Sequence, residues 1–180
     1  NILVIRFSSL GDIAIMVPLF RVLFQTYPHL HLTIVTNKKI VPVFYEFKRL
    51  KFFIVDFKKR HKGFIGLWNL YQDLRILKTT SVADLHAVIR SYILGFFFKW
   101  NLFKLKRINK GRKEKKALTR KNRKVFRPLT TTLYRYSDVF RKLGYSIDFS
   151  NHEFPDRLIL PDKLIDKYEE TDKPFIGIAP

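Results

Sequence analysis

Asp12 closes the run Ser8-Ser9-Leu10-Gly11-Asp12, which follows a short apolar stretch and precedes a helical pattern. A carboxylate so placed can take a proton from a bound hydroxyl, and free amides at a helix start attract anions. The run is not a dinucleotide fingerprint. It supplies one glycine where G-x-G-x-x-G needs three, and the next strand ends Val35-Thr36-Asn37 with no acid for a ribose. A P-loop lysine is also lacking. The same residues have a plainer use, with Ser9 and Asp12 capping a helix and Gly11 permitting a tight turn. Both readings stay open on these residues alone.

Other groups carry charge rather than a reaction. Arg60, His61, Lys62 and Gly63 form a basic cluster ahead of a helix, suited to phosphate or carboxylate or merely to solvent. His86 falls one residue past a strand and is a candidate ligand contact. Residues 99–124 hold thirteen Lys and Arg against the single acid Glu114, and most of the chain's net charge of +20 lies there. Such a field attracts polyanions: nucleic acid, anionic lipid or phosphorylated glycan. The aromatics Phe96, Phe97, Phe98, Trp100 and Phe103 beside this segment read as core and strand residues rather than as a membrane wedge.

Composition removes several classes. With no cysteine there is no disulfide framework, thiolate zinc site, iron–sulfur cluster or cysteine nucleophile. His29, His31 and His152 have no metal-ligand spacing and the acids do not cluster, so no metal site is expected. At 180 residues, 47% hydrophobic and 28% charged, the chain is of globular type. Its longest apolar stretch, 92–103, falls far short of the ~20 residues that span a bilayer. Arg6 and Asp12 interrupt the apolar opening, so no signal peptide is expected.

The elements that must position these residues alternate. Ile2 to Ile5 is a continuous apolar run, the pattern of a strand buried on both faces of a parallel sheet. After the loop 7–12, residues 13–27 read as helical but broken near Pro18, which suits a first helical turn. Strands are expected at 31–36, 52–55, 81–85 and 102–107, with a short helix or irregular piece at 40–47. Helices are expected at 63–78, 88–98 and 130–143, the last ended by Gly144. A short helix at Pro161-Asp162, an acidic linker at 169–173 and a further buried strand from Pro174 complete the pattern. Alternation of this kind implies right-handed crossovers and a Rossmann-like, doubly wound parallel α/β sheet.

The opening Ile2-Leu3-Val4-Ile5-Arg6-Phe7-Ser8-Ser9-Leu10-Gly11-Asp12, with Pro18, Arg21 and Tyr27-Pro28, resembles glycosyltransferase family 9, the ADP-heptose:lipopolysaccharide heptosyltransferases. Asp84-Leu85-His86 with Arg90-Ser91 resembles the family's fourth strand and following helix. Lys110-Gly111-Arg112 with 115–119 resembles its basic loop, and 136–144 its domain-closing helix. Residues 176–180 look like the first strand of its second domain. Ala87 departs from the pattern, standing where a glycine is common.

The resemblance implies a GT-B architecture of two Rossmann-like domains facing across a cleft, with this chain as the N-terminal, acceptor-binding half. Residues 1–172 would form that domain and 173–180 begin a nucleotide-sugar domain not contained in the chain, so the 180 residues alone are expected to transfer nothing. Asp12 takes the place of the family's general base. Ser9, Gly11, Arg60, Lys62, His86, Arg90, Lys110, Arg112 and Arg120 are the expected acceptor-binding residues.

The implied reaction is an inverting, metal-independent transfer from a nucleotide sugar, ADP-heptose, with no cofactor. Its acceptor would be a phosphorylated inner-core glycolipid at the cytoplasmic face of an anionic inner membrane. Nucleic acid is not the expected partner, and the oligomeric state is left open. Two rivals remain at this stage: a basic nucleic-acid-binding module and a Rossmann-like domain without catalysis.

Overall fold

The computed structural model describes residues 1–154, so the expected helix at 161–162, the linker 169–173, the strand from Pro174 and the boundary at 172 lie outside the described residues. Five parallel strands form one sheet in the order β3-β2-β1-β4-β5: β1 (Ile2–Ile5), β2 (Leu32–Thr36), β3 (Leu50–Ile54), β4 (Ser81–Asp84) and β5 (Lys104–Arg107). All four residues of β1 are fully buried. It sits in the middle, with Val4 opposite Ile34 of β2 on one side and Ala83 of β4 on the other. A strand apolar on both sides needs cover on both faces. Ile2 and Val4 face a core built with α1 (Leu10–Ala14), α2 (Met16–Thr26) and α6 (Thr132–Leu143). Leu3 and Ile5 face a second core built with α3 (Gly63–Arg75) and α4 (Ile89–Trp100).

Local chemistry accounts for the helices. Pro18 is the third residue of α2, where a missing N–H is tolerated, and the chain breaks at Ile15 between α1 and α2. On α6, Tyr136, Val139, Phe140 and Leu143 are buried at spacings of three, one and three, an apolar stripe with helical period. The Thr131 hydroxyl accepts from the Tyr134 amide at its start, and Gly144 ends it at φ +101°. A 3-10 turn at Lys38–Phe44 containing Pro42 fills the place expected to be a short helix or irregular.

Three expectations need correction. Helix α1 begins at Leu10, so Gly11 and Asp12 belong to its first turn and not to a loop. The segment expected as a basic loop contains a helix, α5 (Arg112–Thr119), none of whose residues is buried. It forms because Lys, Arg, Glu, Ala and Leu are strong helix formers and because Glu114 is anchored by Arg135 of α6 at 2.7 Å. Lastly, Phe97 and Phe98 are core residues as expected, but Phe96 and Trp100 are exposed. Successive helical residues point ~100° apart, so a run of aromatics on a helix covered on one side must leave some outside. Among the described residues no helix is long and apolar enough to cross a membrane.

Candidate active site

The carboxyl ends of β1 and β4, side by side in the sheet, build the site. In open parallel sheets ligands bind beyond those ends. Arg6, the first residue past β1, is 5% exposed, and its guanidinium donates to the Leu85 carbonyl at 2.6 Å. Its other terminal nitrogen pairs with Asp12 Oδ2. The Arg6 Nε is buried and has no partner among the described residues. Tyr136 of α6 closes the far side, its ring 5.9 Å from the guanidinium and its hydroxyl donating to the Asp12 carbonyl at 3.4 Å. Burial pushes the Tyr136 hydroxyl up to about 12, so it acts as a neutral donor.

Asp12 is not a helix cap. Ser9 is the N-cap of α1 but makes no side-chain capping bond; its hydroxyl donates to Asp12 Oδ2 at 2.9 Å instead. Arg6 and Ser9 thus both take Oδ2, and Oδ1 accepts no hydrogen bond among the described residues. Gly11 makes no tight turn either. It lies in helical backbone, exposed, and a Cβ there would meet nothing within 4 Å, which leaves the start of α1 open to a ligand.

On the β4 side, Asp84 is completely buried and organises the turn that follows. Its Oδ1 accepts from the His86 amide at 3.0 Å and the Ala87 amide at 2.9 Å, while Oδ2 is bound by Arg107 Nε. Ala87 has φ +48°, a left-handed conformation that glycine adopts more easily. This explains physically why a glycine suits that position. His86 lies edge-on to Phe7 at 5.3 Å, and its Nδ1 accepts from the Phe7 amide at 3.4 Å, which places the ring proton on Nε2.

Burial, helped by the nearby Arg6 and Lys110 charges, pulls the His86 imidazole down to about 4. The sign follows. The unfolded chain takes up a proton near 6.5 while the folded chain refuses it until about 4, so stability falls as pH drops through that interval and is full above it. Asp73 and Asp138 are held below the usual carboxylate range by hydrogen bonds from Arg60 and Lys142, so their contribution is lost chiefly as pH falls through 3.8 and below, mostly beneath the His86 interval. Melting curves from pH 7 to 4.5 should therefore slope downward for the native chain and flatten for His86→Gln. Equal slopes would refute a buried neutral His86.

Lys110 completes the group: burial and the charges of Arg6 and Arg112 lower its pKa. It lines a cavity of about 360 Å³ with Ala87, Tyr92, Ile108, Gly111 and Arg112. Arg90 stacks its guanidinium 4.6 Å over Phe57, whose ring is 4.9 Å from that of Phe7. The structure thus gathers Ser9, Gly11, Asp12, His86, Lys110 and Arg112, with Arg90 at the border. Arg60, Lys62 and Arg120 are not tied to this group by any contact among the described residues. Arg60 binds Asp73 at 2.6 Å, Lys62 is the exposed N-cap of α3, and Arg120 ends α5, a helix length of about 12 Å from Arg112.

Three residues escaped the sequence reading. Arg6 and Arg107 looked like polar strand ends. Arg135 falls within the helix expected at 130–143 with nothing to single it out, yet it is 8% exposed and donates to the carbonyls of Thr130 and Asn109 as well as to Glu114. A lone acid among thirteen bases was the available signal for it. A Cβ on Gly111, itself at φ +61°, would fall 2.3 Å from the Arg135 guanidinium.

No family model matches the chain, and no curated protein matches it in sequence. Solved structures do match in shape. The glycosyl transferase family 9 protein of Veillonella parvula aligns over 96% of this chain and 50% of its own, with a TM-score of 0.61 and 22% identity. E. coli heptosyltransferase WaaC with ADP aligns over 82% of this chain and 48% of its own, at a TM-score of 0.55 and 16% identity. The same enzyme with ADP-2-deoxy-2-fluoro heptose gives 0.56 and 16%. This chain spans about half the length of each of them. Its parallel sheet, wound on both faces by helices, is the fold of the N-terminal half of a GT-B glycosyltransferase.

Proposed function

We propose that this chain is the acceptor-binding half of an inverting glycosyltransferase. The observation that carries the reading is Asp12 itself, one carboxylate oxygen held by Arg6 and Ser9 and the other without a partner among the described residues, at the exposed start of α1. An acceptor hydroxyl on Oδ1 loses its proton there as its oxygen attacks the anomeric carbon and the bond to the departing diphosphate breaks. The neutral His86 offers its Nε2 proton to a sugar oxygen, and Lys110 and Arg112 meet the acceptor's negative charge.

The donor is an ADP-activated heptose or a related sugar, bound by a second domain, and the acceptor is a phosphorylated inner-core lipopolysaccharide. The likeness in shape to two heptosyltransferase complexes and a family 9 protein supports this choice. The transfer proceeds without a metal, with amides and basic side chains balancing the leaving group. An acceptor anchored in lipid places the protein at the cytoplasmic surface of the inner membrane. Transfer of labelled heptose from ADP-heptose to heptose-deficient lipopolysaccharide by the full-length protein tests this. Its absence there, together with tight glycan-independent binding of nucleic acid, would refute it.

The basic segment has a separate outcome. Lys113, Lys115 and Lys116 are exposed on α5, and reversing all three to Glu should weaken binding to anionic vesicles. Each cation near such a surface contributes ~1 kcal/mol, and raising salt should imitate the substitution by screening. Unchanged vesicle retention would reduce the segment to a solubility device.

A further inference from the structure

We infer that the outer face of α3 and α4 is an aromatic ridge that inserts into the headgroup region of an anionic lipid bilayer. Phe64, Ile65 and Trp68 on α3 and Phe96 and Trp100 on α4 are exposed, and Leu102 just beyond is 94% exposed. They are not scattered. The buried Phe97 ring lies 5.8 Å from Phe64, 5.1 Å from Trp68 and 6.1 Å from Phe96, and Phe96 is 5.9 Å from Trp100. Single exposed apolar side chains are ordinary, but a connected group of large ones marks a contact surface.

The rim identifies the partner. Neither 57–72 nor 85–113 contains an acid, and Lys58, Lys59, Lys62 and Lys99 are exposed around the two helices. Asp73, the acid near the end of α3, is occupied by Arg60 and His61. Trp and Phe favour the boundary between headgroups and acyl chains, and an apolar surface rimmed by cations matches an anionic interface. A second copy of this chain would set one rim of cations against another, at a net +20 for each copy. The inference deepens the membrane part of the proposed function and rests on that part. It uses no residue of the Asp12 site, so the two can fail separately.

The chain has two tryptophans, Trp68 and Trp100, and both are in the ridge, so intrinsic fluorescence reads insertion directly. On adding vesicles of phosphatidylcholine and phosphatidylglycerol to the full chain, the emission should shift to the blue and be quenched by brominated acyl chains. Ile65→Ser with Phe96→Ser should leave melting unchanged, weaken partitioning by roughly tenfold or more, and remove the quenching. If that pair lowers the melting temperature, Phe64→Ser alone carries the same test. In contrast, Lys113, Lys115 and Lys116 reversed to Glu should weaken binding yet keep the blue shift of what remains bound. Three results would overturn the proposal: no vesicle binding, binding without blue shift or quenching, or a blue shift that needs only protein concentration and no lipid.

Discussion

Asp12→Asn in the full-length protein is expected to lower turnover by roughly 10²–10⁴-fold while leaving acceptor binding intact, the loss typical of a positioned general base. The amide presents the same shape, and its oxygen still accepts from Arg6 and Ser9. What it lacks is the capacity to hold a proton at neutral pH. The stability change should be small, about 1–2 kcal/mol, because the Asp12 side chain is 42% exposed and solvent screens its pairing with Arg6. Steady-state kinetics and a melting curve on one preparation decide the matter. A variant that turns over normally but melts markedly lower would return Asp12 to a structural role and move the base elsewhere.

Asp84→Ala should have the largest effect on folding. The carboxylate is 0% exposed and receives two backbone amides and the Arg107 guanidinium. Its removal leaves a cation with no counter-charge, and Arg107 is hemmed in by the Tyr92 ring at 3.7 Å and by Gly95, so it cannot easily turn to water. Breaking one side of such a pair costs about 3–5 kcal/mol. Urea unfolding should show that loss, and the His86–Ala87 turn should loosen with it. Asp84→Asn keeps an acceptor for the amides and should cost less. A loss below 1 kcal/mol for alanine would mean that solvent reaches the pair after all.

The sheet was readable because its signals are local. Four consecutive apolar residues at β1, a proline in the first turn of α2 and a glycine after α6 each act within a few residues. Asp12 and His86 could be picked out as candidates for the same reason, as each lies in the connection that follows a strand, Asp12 in the first turn of the helix after β1 and His86 two residues past β4. What was hidden depends on partners distant in sequence. Arg6 meets the Leu85 carbonyl 79 residues away, and Arg135 meets Glu114 21 residues away, and no periodicity encodes such a meeting. Helix α5 was missed because it has no buried face for a pattern to reveal. Phe96 and Trp100 were assigned to the core because composition tells that a helix has aromatics, not which side its neighbours cover.

The central place of β1 has a consequence for the life of the chain before it is folded. One of its sheet neighbours, β2, follows within thirty residues, but the other, β4, begins only at Ser81. At ~5–20 residues per second on the ribosome, the strand is made several seconds before its second partner exists. During that time a strand with two apolar faces and one open hydrogen-bonding edge has nothing native to close it, and other nascent chains offer the same edge. A nascent chain of this topology therefore carries an unpaired edge from early in its synthesis, and the emergence of β4 is the event that closes it.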